Sequence, residues 1–269
     1  MRKIVIIGNS AAGFGAHQAF LSAADKFEVT VISREETPAY KKESLLGLLS
    51  GDLKEKDIFL SDLKPVSGTV ARLDMKKRKA VLKDNSRIDF DSLIIASGLA
   101  IDAPDVPGKM KEGIFRFYSI EDVRQIRDRL LVAHSVCVMG DGPAAQKLAE
   151  GLSAQGKDVN VSGPCDLAEF IGEGGLQAVK LKSGKVIGAD MAIFTGPLRP
   201  SVDFLKETGI GLDNGFISVD ADSRTSLDDC FACGSVCKTK DSAPADNWDD
   251  AARQGRSCAQ FIIDQTKKE

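Results

Sequence analysis

Lys3-Ile4-Val5-Ile6-Ile7-Gly8-Asn9-Ser10-Ala11-Ala12-Gly13 opens the chain and decides its fold. Five residues of buried-strand character run into a glycine, a side-chain-poor turn follows, and a helical pattern runs from Ala11 to Ala24. A second strand, Glu28-Val29-Thr30-Val31-Ile32-Ser33, completes a βαβ unit. Gly8 permits the tight bend, and Gly13 lets the helix lie close to the sheet. The free N–H groups at Ala11 and Ala12 favour an anion, ideally a pyrophosphate. The middle position of the usual G-x-G-x-x-G pattern is Ser10, whose small side chain adds a hydroxyl that can bond a phosphate oxygen. An acid near the end of the second strand holds a ribose hydroxyl in such units. Ser33 takes that position and Glu35 stands two residues on, so Glu35 is the expected ribose ligand. The plainer alternative is a strand–turn–helix whose glycines serve packing alone.

Working outward, 269 residues suit one large or two modest α/β domains. A net charge of −3 argues against nucleic acid and anionic membranes as partners, and one Trp cannot build a stacking platform for single strands. No apolar run reaches membrane-spanning length. The basic, then apolar start ends at Gly8 without a cleavage-like site, so the expected location is cytoplasmic. Six cysteines, spread through strands and helices, are not a secreted disulfide framework.

After Pro38 a helix carrying Leu45, Leu46, Leu48 and Leu49 runs to Gly51. Residues 68–74, 79–83 and 87–90 alternate at strand period and read as an antiparallel meander. A buried strand with its exit, Ser92-Leu93-Ile94-Ile95-Ala96-Ser97-Gly98, follows.

Gly8-Asn9-Ser10-Ala11-Ala12-Gly13, then Pro38-Ala39-Tyr40, then Phe90-Asp91-Ser92-Leu93-Ile94-Ile95-Ala96-Ser97-Gly98 and the run from Pro104 to Pro107-Gly108 occur in a telling order. Together they resemble the FAD-dependent pyridine nucleotide-disulfide oxidoreductase superfamily, nearest to its NADH oxidase, rubredoxin reductase and ferredoxin reductase members. The resemblance implies an α/β fold of two Rossmann-like dinucleotide-binding domains, each a parallel sheet with a β-meander. Residues 1–108 and 201–269 would form a discontinuous FAD domain, and 109–200 a shortened NAD(P)H-binding-like domain. It places Ala96, Ser97 and Gly98 at the FAD, with Lys42 as a basic residue near the flavin; a solvated charge is the alternative for Lys42.

The second βαβ unit is Ser135-Val136-Cys137-Val138-Met139-Gly140-Asp141-Gly142-Pro143-Ala144-Ala145, a helix to about Gln155, and Asp158-Val159-Asn160-Val161-Ser162. By resemblance, Gly140, Gly142 and Pro143 would meet NAD(P)H. The copy is altered: Ala145 replaces the third glycine, Gly163 stands where a ribose-binding acid is expected, and Asp166 is the nearest acid. A helix and strand of the family are missing before the meander, so the alternative is a structural remnant or partner-docking surface.

Residues 190–200 resemble the return crossover, and Asp228-Asp229-Cys230-Phe231-Ala232-Cys233-Gly234-Ser235 the family's final FAD segment. There Gly234 and Ser235 would contact FAD, Ser235 replacing an aspartate and bonding a hydroxyl more weakly. Trp248 opens a helix whose N-terminus would lie by the flavin. The chain stops at Glu269 without the family's C-terminal interface domain, so a homo-oligomer, left open here, would use another surface. In the family, disulfide reductase, peroxidase and coenzyme A-disulfide chemistry need cysteines after the first dinucleotide segment or near Tyr40; no cysteine precedes Cys137, so the resemblance implies none of these activities. Cys230, Cys233, Cys237 and Cys258 read as structural, not as a metal site. His17 and His134 read as satisfied structural residues. The expected function is electron transfer from NAD(P)H through FAD to a ferredoxin- or rubredoxin-like protein or other acceptor. The rival is a partner-dependent FAD subunit that no longer binds NAD(P)H.

Overall fold

A computed structural model describes residues 1–267 and divides the chain into two compact units. The first unit comprises residues 1–41, 59–99 and 200 onward; the second comprises 42–58 and 100–199.

In chain order, β1 (Arg2–Ile7), α1 (Ala11–Phe20) and β2 (Phe27–Ser33) form the opening βαβ unit, with a 3-10 turn at Leu21–Ala23. Helices α2 (Ser44–Ser50) and α3 (Glu55–Ile58) follow. Then come β3 (Val66–Ser67), β4 (Val70–Asp74), β5 (Lys79–Leu82), β6 (Arg87–Asp89), β7 (Ser92–Ile95) and β8 (Leu99–Ile101). The middle of the chain holds β9 (Ile114–Arg116), α4 (Ile120–Leu130), β10 (Ser135–Met139), α5 (Pro143–Ala154) and β11 (Asp158–Ser162). It continues with β12 (Leu167–Ile171), β13 (Ala178–Leu181), β14 (Val186–Gly188) and β15 (Met191–Phe194). The last part holds β16 (Leu198–Pro200), β17 (Leu212–Asp213), β18 (Phe216–Ser218), β19 (Cys230–Ala232), β20 (Cys237–Lys238) and α6 (Trp248–Thr266).

The first unit is built on a parallel sheet of order β19-β7-β1-β2-β3. The runs Ile4–Ile7 of β1 and Leu93–Ile95 of β7 are apolar at every position because both faces are covered, and a period of two divides them between two cores. Ile4, Ile6 and Ile94 pack with Phe20 of α1 and Ile262 of α6 on one face; Val5, Ile7, Leu93 and Ile95 pack with Leu73, Ala80 and Leu82 of the meander on the other. The meander β4-β5-β6 is antiparallel, as its alternation predicts.

Helices α1 and α6 meet through two glycines. A Cβ at Gly15 would lie 2.9 Å from the carbonyl carbon of Ala252, and one at Gly255 2.8 Å from that of Ala12. No side chain fits there, so the backbones touch.

The second unit repeats the plan with fewer strands. Its parallel sheet runs β11-β10-β15-β9, and the antiparallel β12-β13-β14 packs on one face. Phe170 and Phe194 meet edge to face at 6.1 Å in that layer. After β11 a single 3-10 turn, Pro164–Asp166, leads directly into β12. Residues 42–58 and 100–108, grouped with the first domain in the sequence reading, pack within the second unit. Leu45, Leu48 and Leu49 bury one face of α2, α2 packs against α4 and α5, and Arg124 of α4 grips Glu55 with a two-pronged fork at 2.8 and 2.6 Å. An amphipathic helix announces that it needs a partner but not which one.

Candidate functional site

Around the N-terminus of α1 the first unit gathers most of the residues singled out in the sequence. Gly8 has φ +114°, and its N–H donates to the carbonyl of Ile32 at 2.8 Å. A Cβ there would lie 2.7 Å from the carbonyl carbon of Ala96 at the end of β7. A Cβ at Gly13 would lie 2.8 Å from the carbonyl carbon of Gly8, so the helix closes over the turn. Both glycines are demanded by close approach of backbone. Ser10 occupies the N-cap position, yet its hydroxyl makes no capping bond, and the first turn of α1 contains no acid. The N–H groups of that turn are left for an acceptor from outside the helix.

The other loops converge on the same place. Gly234, at φ +83°, brings the turn after β19 against Ala12: a Cβ would lie 2.7 Å from the Cβ of Ala12. Its N–H donates to Gln254 Oε1 on α6 at 2.9 Å. Ser235 Oγ lies 3.6 Å from the Cβ position of Gly98, itself at φ +63°. Ser97 Oγ donates to the carbonyl of Ser201 at 2.8 Å, and Ser201 N–H returns a bond to Gly98 at 2.9 Å. Trp248 begins α6 and its ring lies 6.1 Å from that of Phe14 on α1. The N-terminus of α6 is already complemented, by the Asn247 cap on Asp250 N–H and by Asp249 and Asp250 in the first turn.

Two buried acceptors at this turn have no partner. Asn9 donates through Nδ2 to the carbonyl of Thr37 at 3.1 Å, tying the loop after β2 to the glycine turn. Asn9 Oδ1 and Thr37 Oγ1 are nonetheless buried and unbonded. Buried polar atoms are ordinarily satisfied, so orphans beside a set of free N–H groups mark the place of a ligand. Glu35 receives the hydroxyl of the buried Tyr40 on Oε2 at 2.6 Å. Asn9, Thr37 and Gln254 join the site without having been candidates in the sequence. Asn9 was legible from its place inside the turn, and Gln254 from its place in the Trp248–Gly255 run that resembles the family's last helix; Thr37 had no signal beyond its polarity.

The second glycine turn is built differently. A Cβ at Gly140 would meet Thr195 Oγ1 and would lie 3.0 Å from the Cβ of Ala145. Gly142 is the N-cap of α5, with open space where its Cβ would stand, and Pro143 fills the first helical position. A Cβ at Gly163 would lie 2.6 Å from Asp141 Oδ1 and 3.0 Å from Asp166 Oδ2. Two carboxylates from neighbouring turns therefore flank the strand end that lacks its own. Lys42 belongs to this unit: Nζ donates to the carbonyl of Tyr118 at 2.6 Å and sits 3.7 Å from the centre of its ring.

Cys137, Cys230, Cys233, Cys237 and Cys258 are buried, and Cys165 is exposed. Burial pushes the Cys137 thiol up to about 11 and that of Cys230 to about 12. Cys233 is raised by its hydrogen bond with Cys258 and by burial. Protonated thiols of this kind act as small apolar side chains. Among the described residues, no group of three or more His, Cys, Asp or Glu is arranged to hold a metal ion. The expectation that both histidines are satisfied fails at His17, whose buried Nδ1 has no partner and whose pKa is lowered by burial. No helix among the described residues is long and apolar enough to cross a membrane.

The sequence matches the family described as pyridine nucleotide-disulphide oxidoreductase over residues 2–166 and 155–255. The nitrite reductase [NAD(P)H] of Bacillus subtilis is 28% identical over 87% of this chain, which spans 34% of that protein. The NADH-rubredoxin oxidoreductase of Clostridium acetobutylicum is 25% identical over 88% of this chain, which spans 68% of it. Among solved structures, the water-forming NADH oxidase of Lactobacillus brevis superimposes with a TM-score of 0.86 at 19% identity, covering 98% of this chain and 70% of that one.

Proposed function

The chain belongs to the pyridine nucleotide-disulphide oxidoreductase family, and from that premise we propose an FAD-dependent oxidoreductase passing electrons from NAD(P)H through flavin to a ferredoxin- or rubredoxin-like protein. The observation that carries the FAD assignment is the first glycine turn. The helix start has no capping side chain and no acid, Gly8 and Gly13 leave no room for side chains, and the orphaned Asn9 Oδ1 and Thr37 Oγ1 belong to this turn and the loop tied to it. These residues fit a pyrophosphate flanked by hydroxyl-bearing groups. Gly8, Ser10, Ala11, Ala12 and Gly13 would hold the pyrophosphate, Glu35 the adenosine ribose, and Ala96, Ser97, Gly98, Gly234, Ser235 and Trp248 the remainder. Bound flavin would supply hydride acceptance and electron release; the chain supplies binding and orientation. The four cysteines of this unit, Cys230, Cys233, Cys237 and Cys258, are all buried, which supports electron release from flavin without a cysteine relay. A cytoplasmic setting, which keeps thiols reduced, accords with this reading.

For NAD(P)H the open face of Gly142 at the start of α5 supports binding through Gly140, Gly142 and Pro143. A second reading has its own support. Gly163 supplies no carboxylate, the sheet is short, and Lys42 is engaged with Tyr118. On that reading the protein is a partner-dependent FAD subunit that receives electrons from another protein.

Anaerobic titration of the FAD-loaded protein with NADH, followed at the flavin absorbance band, separates the two. Bleaching at stoichiometric NADH supports the reductase. A yellow protein that NADH leaves unbleached, yet dithionite reduces, refutes it and supports the subunit reading.

A further inference from the structure

The loop that leaves β2 is held more tightly than a surface turn requires. Register pairs Ile7 with Ile32, so the next residue, Ser33, is drawn level with Gly8. Ser33 Oγ accepts the N–H of Glu35 at 3.1 Å, and Asn9 fixes the carbonyl of Thr37. Two residues further, the chain turns inward. Tyr40 is only 6% exposed, its backbone bridges to Phe59, and its hydroxyl donates to Glu35 Oε2 at 2.6 Å. A glutamate on a loop ordinarily samples several rotamers, and ordering it on binding costs affinity. Here a buried phenol, itself locked by packing, selects one orientation through a short charge-assisted hydrogen bond.

We infer that Tyr40 is a positioning residue, which fixes the Glu35 carboxylate to receive the hydroxyls of an adenosine ribose bound at the Gly8–Gly13 turn. This rests on the nucleotide reading of that turn proposed above. It goes further in making the recognition of ribose depend on a residue that need not touch the ligand. A carboxylate accepts hydrogen bonds only, so the group it selects must donate, as a ribose diol does.

The test titrates the full chain, freed of bound flavin, calorimetrically with ADP and with 2′,3′-dideoxy-ADP. The native protein should prefer ADP by about tenfold, the size of one hydrogen bond to a charged acceptor. Tyr40→Phe should weaken ADP and leave dideoxy-ADP unchanged, collapsing the preference. Adding Tyr40→Phe to Glu35→Gln should cause no further loss. A Tyr40→Phe protein that keeps the native preference, or binds both nucleotides more weakly by the same factor, overturns the inference and leaves the nucleotide site standing. No heat with ADP and no uptake of FAD by the native chain overturns the nucleotide reading and the inference with it. Should Tyr40→Phe not fold by circular dichroism, Glu35→Gln decides alone, and an unchanged preference in that variant overturns the proposal.

Discussion

Substituting Gly255 by alanine tests the contact that sets the position of α1, and with it the first glycine turn. Intrinsic helix propensity predicts a gain, since glycine inside a helix is less favourable than alanine by about 1 kcal/mol. The structure predicts a loss. The new Cβ would lie 2.8 Å from the carbonyl carbon of Ala12, whose oxygen is nearer still, whereas ordinary contact begins at 3.4 Å. The helices must separate by at least the 0.6 Å between those values. A radial gap of about 0.5–1 Å forfeits roughly a quarter to a half of each dispersion contact. The interface includes Ala16, Phe20, Ala259 and Ile262, all buried. Overpacking typically costs about 1–3 kcal/mol, and with backbone blocking relaxation the upper end applies, leaving a net loss of about 2 kcal/mol after the propensity gain. For a chain of this size that lowers Tm by about 4–8 °C. Gly151 is the control: it lies inside α5 with nothing within 4 Å of its Cβ position. Gly151→Ala should raise Tm by about 2–4 °C from the same propensity term. Thermal unfolding followed by circular dichroism gives both numbers, and emission from Trp248, on α6 beside Phe14, reports the α1–α6 region separately. If Gly255→Ala stabilises the protein as Gly151→Ala does, the backbone contact between α1 and α6 is wrong.

Three further outcomes are expected. Gly8→Ala, at φ +114° and with its Cβ 2.7 Å from the Ala96 carbonyl carbon, should weaken FAD binding by at least tenfold, about 1.4 kcal/mol or more, by flavin fluorescence titration. Asp190 accepts the N–H groups of His134 and Ser135 at 2.9 and 3.0 Å, and these bonds hold its pKa below 3.8. Because the folded value is depressed, its contribution is complete above the unfolded pKa and is lost as pH falls through the folded one, so the stability gap between native and Asp190→Asn proteins, about 1–3 kcal/mol at pH 7, should narrow below about pH 4 in urea titrations. A thiol reagent at neutral pH should label Cys165 alone in the folded protein and all six cysteines in denaturant; rapid native labelling of Cys230 or Cys233 would contradict their burial.

The sequence by itself determined the local architecture of the first turn. The run Ile4 to Ile7 could only be a central strand, because a period-two element apolar at every position needs both faces covered, and β1 does have a core on each side. Gly8 and Gly13 were legible because their spacing states where backbone must approach backbone. That β11 passes into the second meander with no helix and strand between was legible from the short distance from Val161 to Leu167. Tertiary structure alone decided the rest. Residues 42–58 were punctuated like a continuation of the first domain, and only the packing of Leu45, Leu48 and Leu49 assigns them to the second unit and takes Lys42 to Tyr118. The pairing of Asn9 with Thr37 and of Gln254 with Gly234 came from contacts between residues far apart in the chain, and Asp141 came to flank Gly163 through the meeting of two turns. Periodicity and glycine spacing are local properties that a sequence records directly. The identity of a polar side chain's partner depends on which loops the packed cores bring together, and no residue carries that information alone.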